Sequence, residues 1–185
     1  MALALTGTGN GSLNNLSLTT NTGTVVDTSV NPFLAYDSWY LTSNWTNTSS
    51  ANITSWSRRP ASYVRVGDAM THSSGTFSFP ITGLWLIRLE IFFNFTTATN
   101  DQFQCYIRTG TSGTPNTNAG AAVEGGGGTG DHMGRSTTQL MFDVTDTTNC
   151  VVAFEANSIS SGNFFVGGAT SYGNTICEFY KLGET

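Results

Sequence analysis

Lysine is almost missing from this 185-residue chain: Lys181 is the only one, and the other six basic residues are arginines, scattered except for Arg58-Arg59. With a net charge of −5 there is no basic stripe to follow a phosphate backbone, which argues against a nucleic-acid partner. Charge of either sign is scarce, at 10% of residues, against roughly 25% in an ordinary soluble domain. The surface must therefore be built from hydroxyl and amide side chains. Such a surface separates copies poorly by repulsion and suits a chain held in a fixed assembly. Long apolar runs are also missing, the best being broken by Arg88 and Glu90, so nothing approaches the ~18 residues of a membrane span. The N-terminal MALALTGTGNGS has neither the basic region nor the apolar core of a secretory signal, and export by that route is not expected. Three cysteines, Cys105, Cys150 and Cys177, are odd in number, lie in strand-like apolar contexts and lack metal-ligand spacing. They are expected to be buried free thiols.

Catalytic constellations are missing too. The two histidines, His72 and His132, accompany no nucleophile elbow and no sequence-suggested Cys–His pair, so hydrolase chemistry is not expected. Asp131-His132 with Glu124 falls short of a converging metal set, because the neighbours are Gly, Met and Thr. Gly125 to Gly130 has the look of a phosphate cradle but is followed by neither Lys-Ser/Thr nor a helix. No catalytic residue, metal or cofactor is expected. Six Asn-x-Ser/Thr sequons begin at Asn10, Asn15, Asn44, Asn47, Asn52 and Asn94; the abundance of Asn and Thr accounts for most of them, and Asn94 lies in an expected core strand.

What is present is β pattern, with no window that makes an amphipathic helix. Residues 1–30 carry Leu3, Leu5, Leu13, Leu16, Leu18, Val25 and Val26 without helical period, which predicts an extended arm that docks on a partner surface. Residues 31–185 predict one domain of about nine short strands. Leu84 to Phe95 is the strongest, with Trp85, Ile87, Leu89, Ile91, Phe93 and Phe95 forming a wholly apolar core face. Further strands are expected at 33–36, 39–41, 63–66, 75–79, 103–109, 138–144, 150–156, 164–166 and 175–182. Gly110 to Arg135, rich in small residues, is expected to be the longest loop. The class that results is an all-β antiparallel sandwich or jelly roll.

Gly75 to Ile87, GTFSFPITGLWLI, resembles the signature of the tumour-necrosis-factor and complement-subcomponent-q superfamily: a Gly-x-Phe strand, a Pro or Gly turn, then Gly-Leu-Tyr entering an aromatic-rich strand. Trp85 stands where the family usually has Tyr, and Ile87 takes the second aromatic position. Asn163 to Gly168 is similar to the family's closing Phe-x-Gly hairpin, displaced by a residue, and Leu140 to Val144 with Val151 to Phe154 is similar to its strand pair with a polar turn. The chain departs from animal members in lacking a collagenous repeat and a signal peptide. Its Gly/Thr/Asn-rich, Lys-poor composition and short arm look like the phage and large-virus relatives.

The resemblance implies a homotrimer, three jelly rolls packed around a threefold axis through one sheet. The residues point the same way, since twelve Phe, six Tyr and four Trp exceed what one small sandwich needs in its core. Phe92, Phe103, Tyr106, Phe164 and Tyr180 are the interface candidates. The function expected is a virion structural protein made in the host cytoplasm: a capsid decoration or cement protein whose arm grips the major capsid protein. The alternative is the receptor-binding head of a tail fibre or spike. There, distal loops at 46–50 and 110–135 with Trp45, Trp56, Asp131 and His132 would meet a host glycan or protein.

Overall fold

The computed structural model describes residues 34–184, apart from 48, 61–62, 64, 97–100, 127–131, 158, 160–162 and 169–173, and apart from the side chains of 101–102 and 121–126. The arm candidates from Leu3 to Val26 and the loop residue Asp131 lie outside the described residues.

Among the described residues twelve strands follow in order: β1 (Ala35–Leu41), β2 (Ala51–Asn52), β3 (Trp56–Arg58), β4 (Thr71–Ser73), β5 (Thr76–Ser78), β6 (Gly83–Phe95), β7 (Asp101–Gly110), β8 (Thr117–Gly126), β9 (His132–Val144), β10 (Val151–Ala156), β11 (Phe164–Phe165) and β12 (Ile176–Gly183). Every pairing between them is antiparallel, in two sheets. The first runs β3-β1-β12-β6, with β9 paired along the whole of β6 and β11 continuing beside β12 on the opposite edge of β6. The second runs β4-β5-β10-β7-β8, with β2 beside β5 on one edge of β10. The two sheets face each other across one core as a jelly-roll sandwich. Among the described residues no helix is long and apolar enough to cross a membrane.

The alternation expected in Leu84 to Phe95 is realised residue by residue, since the odd-numbered positions of β6 are buried and the even-numbered ones half-buried. An inward aromatic face on that strand meets Phe103, Cys105 and Ile107 of β7 and Val152, Phe154 and Ala156 of β10 across the core. Phe77 is the hub: its ring lies 5.2 Å from Trp39, 6.3 Å from Trp56, 5.6 Å from Phe154 and 5.1 Å from Phe179. Buried rings of this size each contribute roughly 1.5–3 kcal/mol by leaving water. Gly83, in the motif that carries the family resemblance, has φ of 137°, and a Cβ there would stand 2.3 Å from Lys181 Cε and 2.5 Å from the Gly183 carbonyl. Glycine is required at the entry to β6 by conformation and by space.

Several expectations are corrected. Gly110 to Arg135 is not one loop, because β8 and the start of β9 occupy much of it. Glycine, alanine and threonine give no apolar alternation, yet β8 pairs with β7 from Asp101↔Gly126 to Thr109↔Thr117. Where a strand was expected at 63–66, Val66 makes an isolated bridge to Tyr36. Trp45 and Trp56 are 7% and 6% exposed and belong to the core, not to loop tips. Trp45 stacks on Phe165 at 5.3 Å, and Trp56 packs on Phe154 at 5.5 Å while its indole N–H donates to the Ile53 carbonyl at 2.8 Å. Phe103, 1% exposed, is likewise core, edge-on to Phe165 at 4.9 Å, and is not available to an interface. Cys105, Cys150 and Cys177 are buried free thiols, and burial pushes the Cys105 and Cys177 thiols well above their ordinary range.

His72 on β4 is held against Trp39 and Phe77, 5.6 and 4.6 Å between rings, and its Nε2 accepts the Gly75 N–H at 3.1 Å across the β4–β5 turn. That bond requires the neutral ring, and burial lowers the pKa below 6.5. Trp39, which His72 packs against, also carries the Arg58 guanidinium over its ring. The unfolded chain therefore takes up a proton before the folded one does. Stability is full above pH 6.5 and falls as acid is added through and below that value. Thermal denaturation is expected to give a lower midpoint at pH 5.5 than at pH 7.5, and His72→Gln, which keeps an acceptor without titrating, should flatten the difference.

Candidate functional site

The even-numbered positions of β6 point away from the core, and pairing places their neighbours beside them. Leu86 sits between Tyr180 of β12 and Met141 of β9, Arg88 between Glu178 and Gln139, Phe92 beside Arg135, and Asn94 between Phe164 and Met133. Tyr36 of β1 stands opposite Tyr180, their rings 4.8 Å apart. The outer face of the first sheet is thus aromatic and aliphatic, with Met133 and Met141 55% and 48% exposed at its β9 side.

A charged chain crosses this face. Arg88 donates to Glu178 at 2.7 Å and to Glu90 at 2.5 Å, Arg135 donates to the other oxygen of Glu90, and the Tyr36 hydroxyl donates to the other oxygen of Glu178 at 2.9 Å. The Arg135 guanidinium also lies 5.1 Å from the centre of the Phe92 ring. Burial works against the Arg88 charge, but hydrogen bonds and attraction from Glu178 and Glu90 outweigh it and raise its pKa. Burial first, then the Glu178 carboxylate, raises the phenols of Tyr180 and Tyr36, although a hydrogen bond with Ser38 pulls Tyr36 the other way. Both tyrosines remain neutral donors at any physiological pH.

Of the five interface candidates, Phe92, Phe164 and Tyr180 are brought together on this face. Tyr106 is not, because it pairs with Glu155 and faces outward from the second sheet. Tyr36, Leu84 and Leu86 belong to the face and escaped sequence reasoning as candidates; the alternation of β6, extended across its partners, was the signal that places the two leucines. Of the distal-loop candidates, His132 is exposed at the start of β9, its ring 6.1 Å from Phe93. Among the described residues no group of three or more His, Cys, Asp or Glu converges to hold a metal ion.

No family model matches the chain, and no curated protein matches its sequence. Solved structures do match. Murine APRIL at pH 5.0 superposes with a TM-score of 0.59 at 9% identity, covering 80% of this chain and 98% of that one. The fold is a tumour-necrosis-factor-like jelly roll. Murine APRIL at pH 8.5 gives 0.57 at 10% identity over the same shares, and the Eiger TNF structure from S. frugiperda gives 0.56 at 9%, covering 84% of this chain and 96% of that one. Within the TNF-like fold, the resembling segment Gly75 to Ile87 spans the turn into β5, β5 itself and the start of β6. It supplies Phe77, Phe79 and Trp85 to the core.

Proposed function

We propose that the chain is a non-catalytic virion structural protein, a homotrimer that decorates a phage capsid and reinforces it. The observation that carries this reading is the outer face of the first sheet: aromatic and aliphatic side chains around a neutralised charge chain, on a protein otherwise covered in small polar groups. Such a face loses little by leaving water and gains roughly 25 cal/mol for each Å² of apolar surface covered. A second copy answers it, since the Arg88, Arg135, Glu90 and Glu178 charges cancel within one protomer; the exposed Asp143, opposite Leu84, adds a single negative charge to the face. The scarcity of charge and the single lysine support a place within a fixed assembly. Residues 1–30, with Leu3, Leu5, Leu13, Leu16, Leu18, Val25 and Val26 as anchors, are the proposed grip on the major capsid protein, multiplied over many copies.

The test is binding of labelled full-length protein to its cognate empty capsids. Stoichiometric binding, lost on deletion of residues 1–30, is the expected result. Binding to host cells with no affinity for capsids would overturn it in favour of a receptor-binding head. That alternative has lost its aromatic platforms, because Trp45 and Trp56 are buried.

A further inference from the structure

We propose that the outer face of the second sheet, around Tyr106, binds a neutral oligosaccharide. Tyr106 is the aromatic residue that β7 turns away from the core, with Gln104 and Arg108 two positions away on either side, and all three are half-buried. The Tyr106 hydroxyl donates to Gln104 Oε1, the Asn157 amide donates to the same oxygen at 3.1 Å, and Ser50 Oγ donates to Asn157 Oδ1 at 3.3 Å. Gln104 is thus held by its carbonyl oxygen, and its amide N–H groups have no acceptor among the described residues. Glu155 stands opposite Tyr106, with Asn52 of β2 on its far side and Arg108 paired to its carboxylate. Ser50 ends the 46–50 loop expected from the sequence to meet a glycan, so that loop reaches Tyr106 rather than an exposed tryptophan.

The chemistry of the face selects its occupant. One ring is too little apolar area for a protein contact, which takes a cluster of large anchors. Arg108, the positive charge here among the described residues, is matched by Glu155, so no unpaired cation is offered to a phosphate, sulfate or carboxylate. What remains is a ring flanked by amides and one carboxylate. A sugar answers both parts, its C–H face lying on the ring and its hydroxyls meeting planar donors and acceptors. Because the amides already hold one another, little side-chain freedom is lost on binding. This face is directed away from the first sheet, so the inference does not rest on the self-association proposed above.

The experiment applies labelled full-length protein to an array of neutral glucose, galactose, mannose and N-acetylhexosamine oligosaccharides printed beside sialylated and sulfated ones. Wild type is expected to be retained on a subset of the neutral structures. Tyr106→Ala should weaken that retention about tenfold or more, since stacking is lost. Gln104→Ala should do the same, and Tyr106→Phe, which keeps the ring, should weaken it less than Tyr106→Ala does. Circular dichroism confirms folding, and if Tyr106→Ala fails it, Gln104→Ala decides. Retention on no neutral glycan, retention confined to acidic ones, or undiminished retention of the deciding variant overturns the site. Capsid binding by the same variants is expected to equal that of wild type, so the failure of either proposal is read separately.

Discussion

Replacing Asp37 by alanine is expected to destabilise the protein by about 3–5 kcal/mol, since it takes the acceptor from three buried N–H donors at once. Asp37 is 2% exposed on the inward side of β1, among Ala35, Trp39 and Leu41. Its carboxylate accepts the Ser38 N–H at 3.0 Å, the Trp39 indole at 3.1 Å, the Met70 N–H at 3.0 Å and Arg58 Nε at 3.1 Å. Arg58 in turn donates to the Met70 carbonyl and lies 4.6 Å from the Trp39 ring centre. One carboxylate thus ties β1, β3 and the approach to β4 together where the sandwich has only short edge strands. Removing it leaves the Ser38, Trp39 and Met70 N–H groups without that acceptor in a buried region, while Arg58, 35% exposed, can turn to water. At roughly 2–4 °C per kcal/mol for a chain of this size, the melting midpoint should fall by about 6–20 °C. Asp37→Asn, which keeps part of the hydrogen bonding, should fall between. A shift of under about 2 °C for the alanine variant, by circular dichroism, would show that the charge is dispensable.

Leu86→Arg is expected to leave the protomer folded and to abolish its self-association. Leu86 is half-buried between Tyr180 and Met141, with Arg88 two residues along the same face. In a lone protomer the new guanidinium reaches water, and surface substitutions of this kind cost within about 0.5 kcal/mol. In a trimer it brings three added positive charges into the covered face beside Arg88, whose carboxylate partners are already engaged, and like-charge juxtaposition costs several kcal/mol. The dissociation concentration should rise by about a thousandfold or more, with the melting midpoint of the dissociated protomer nearly unchanged. Size-exclusion chromatography with light scattering reads the first quantity and a thermal melt the second. A variant that still elutes as the wild type does would remove this face from the assembly.

The long core strand was legible because water rejects one side of it: Trp85 to Phe95 at alternate positions admit no other arrangement. Gly83 and Phe77 stood in the motif that carries the resemblance, and the positive φ of the one and the core position of the other came with the structure. The strand β8 and the first half of β9 were hidden because side chains such as Ala, Gly and Thr carry no apolar alternation, whereas the second half of β9 was expected at 138–144. Trp45 and Trp56 misled because their neighbours in sequence are polar, while the rings that bury them, Phe165 and Phe154, are about a hundred residues away. Tyr106 illustrates the limit of alternation, which tells inside from outside but not which of two sheets a strand joins. Asp37 gave a signal that was not used, an acidic residue at an apolar position of an alternating strand. Burial there demands partners, and it has them.

The central claim is that copies of this chain meet through the outer face of the first sheet. Equilibrium sedimentation of the full-length wild-type protein across micromolar concentrations tests it most directly. A mass three times that of the 19.7-kDa chain is the expected result, and a single species at 19.7 kDa throughout would contradict it.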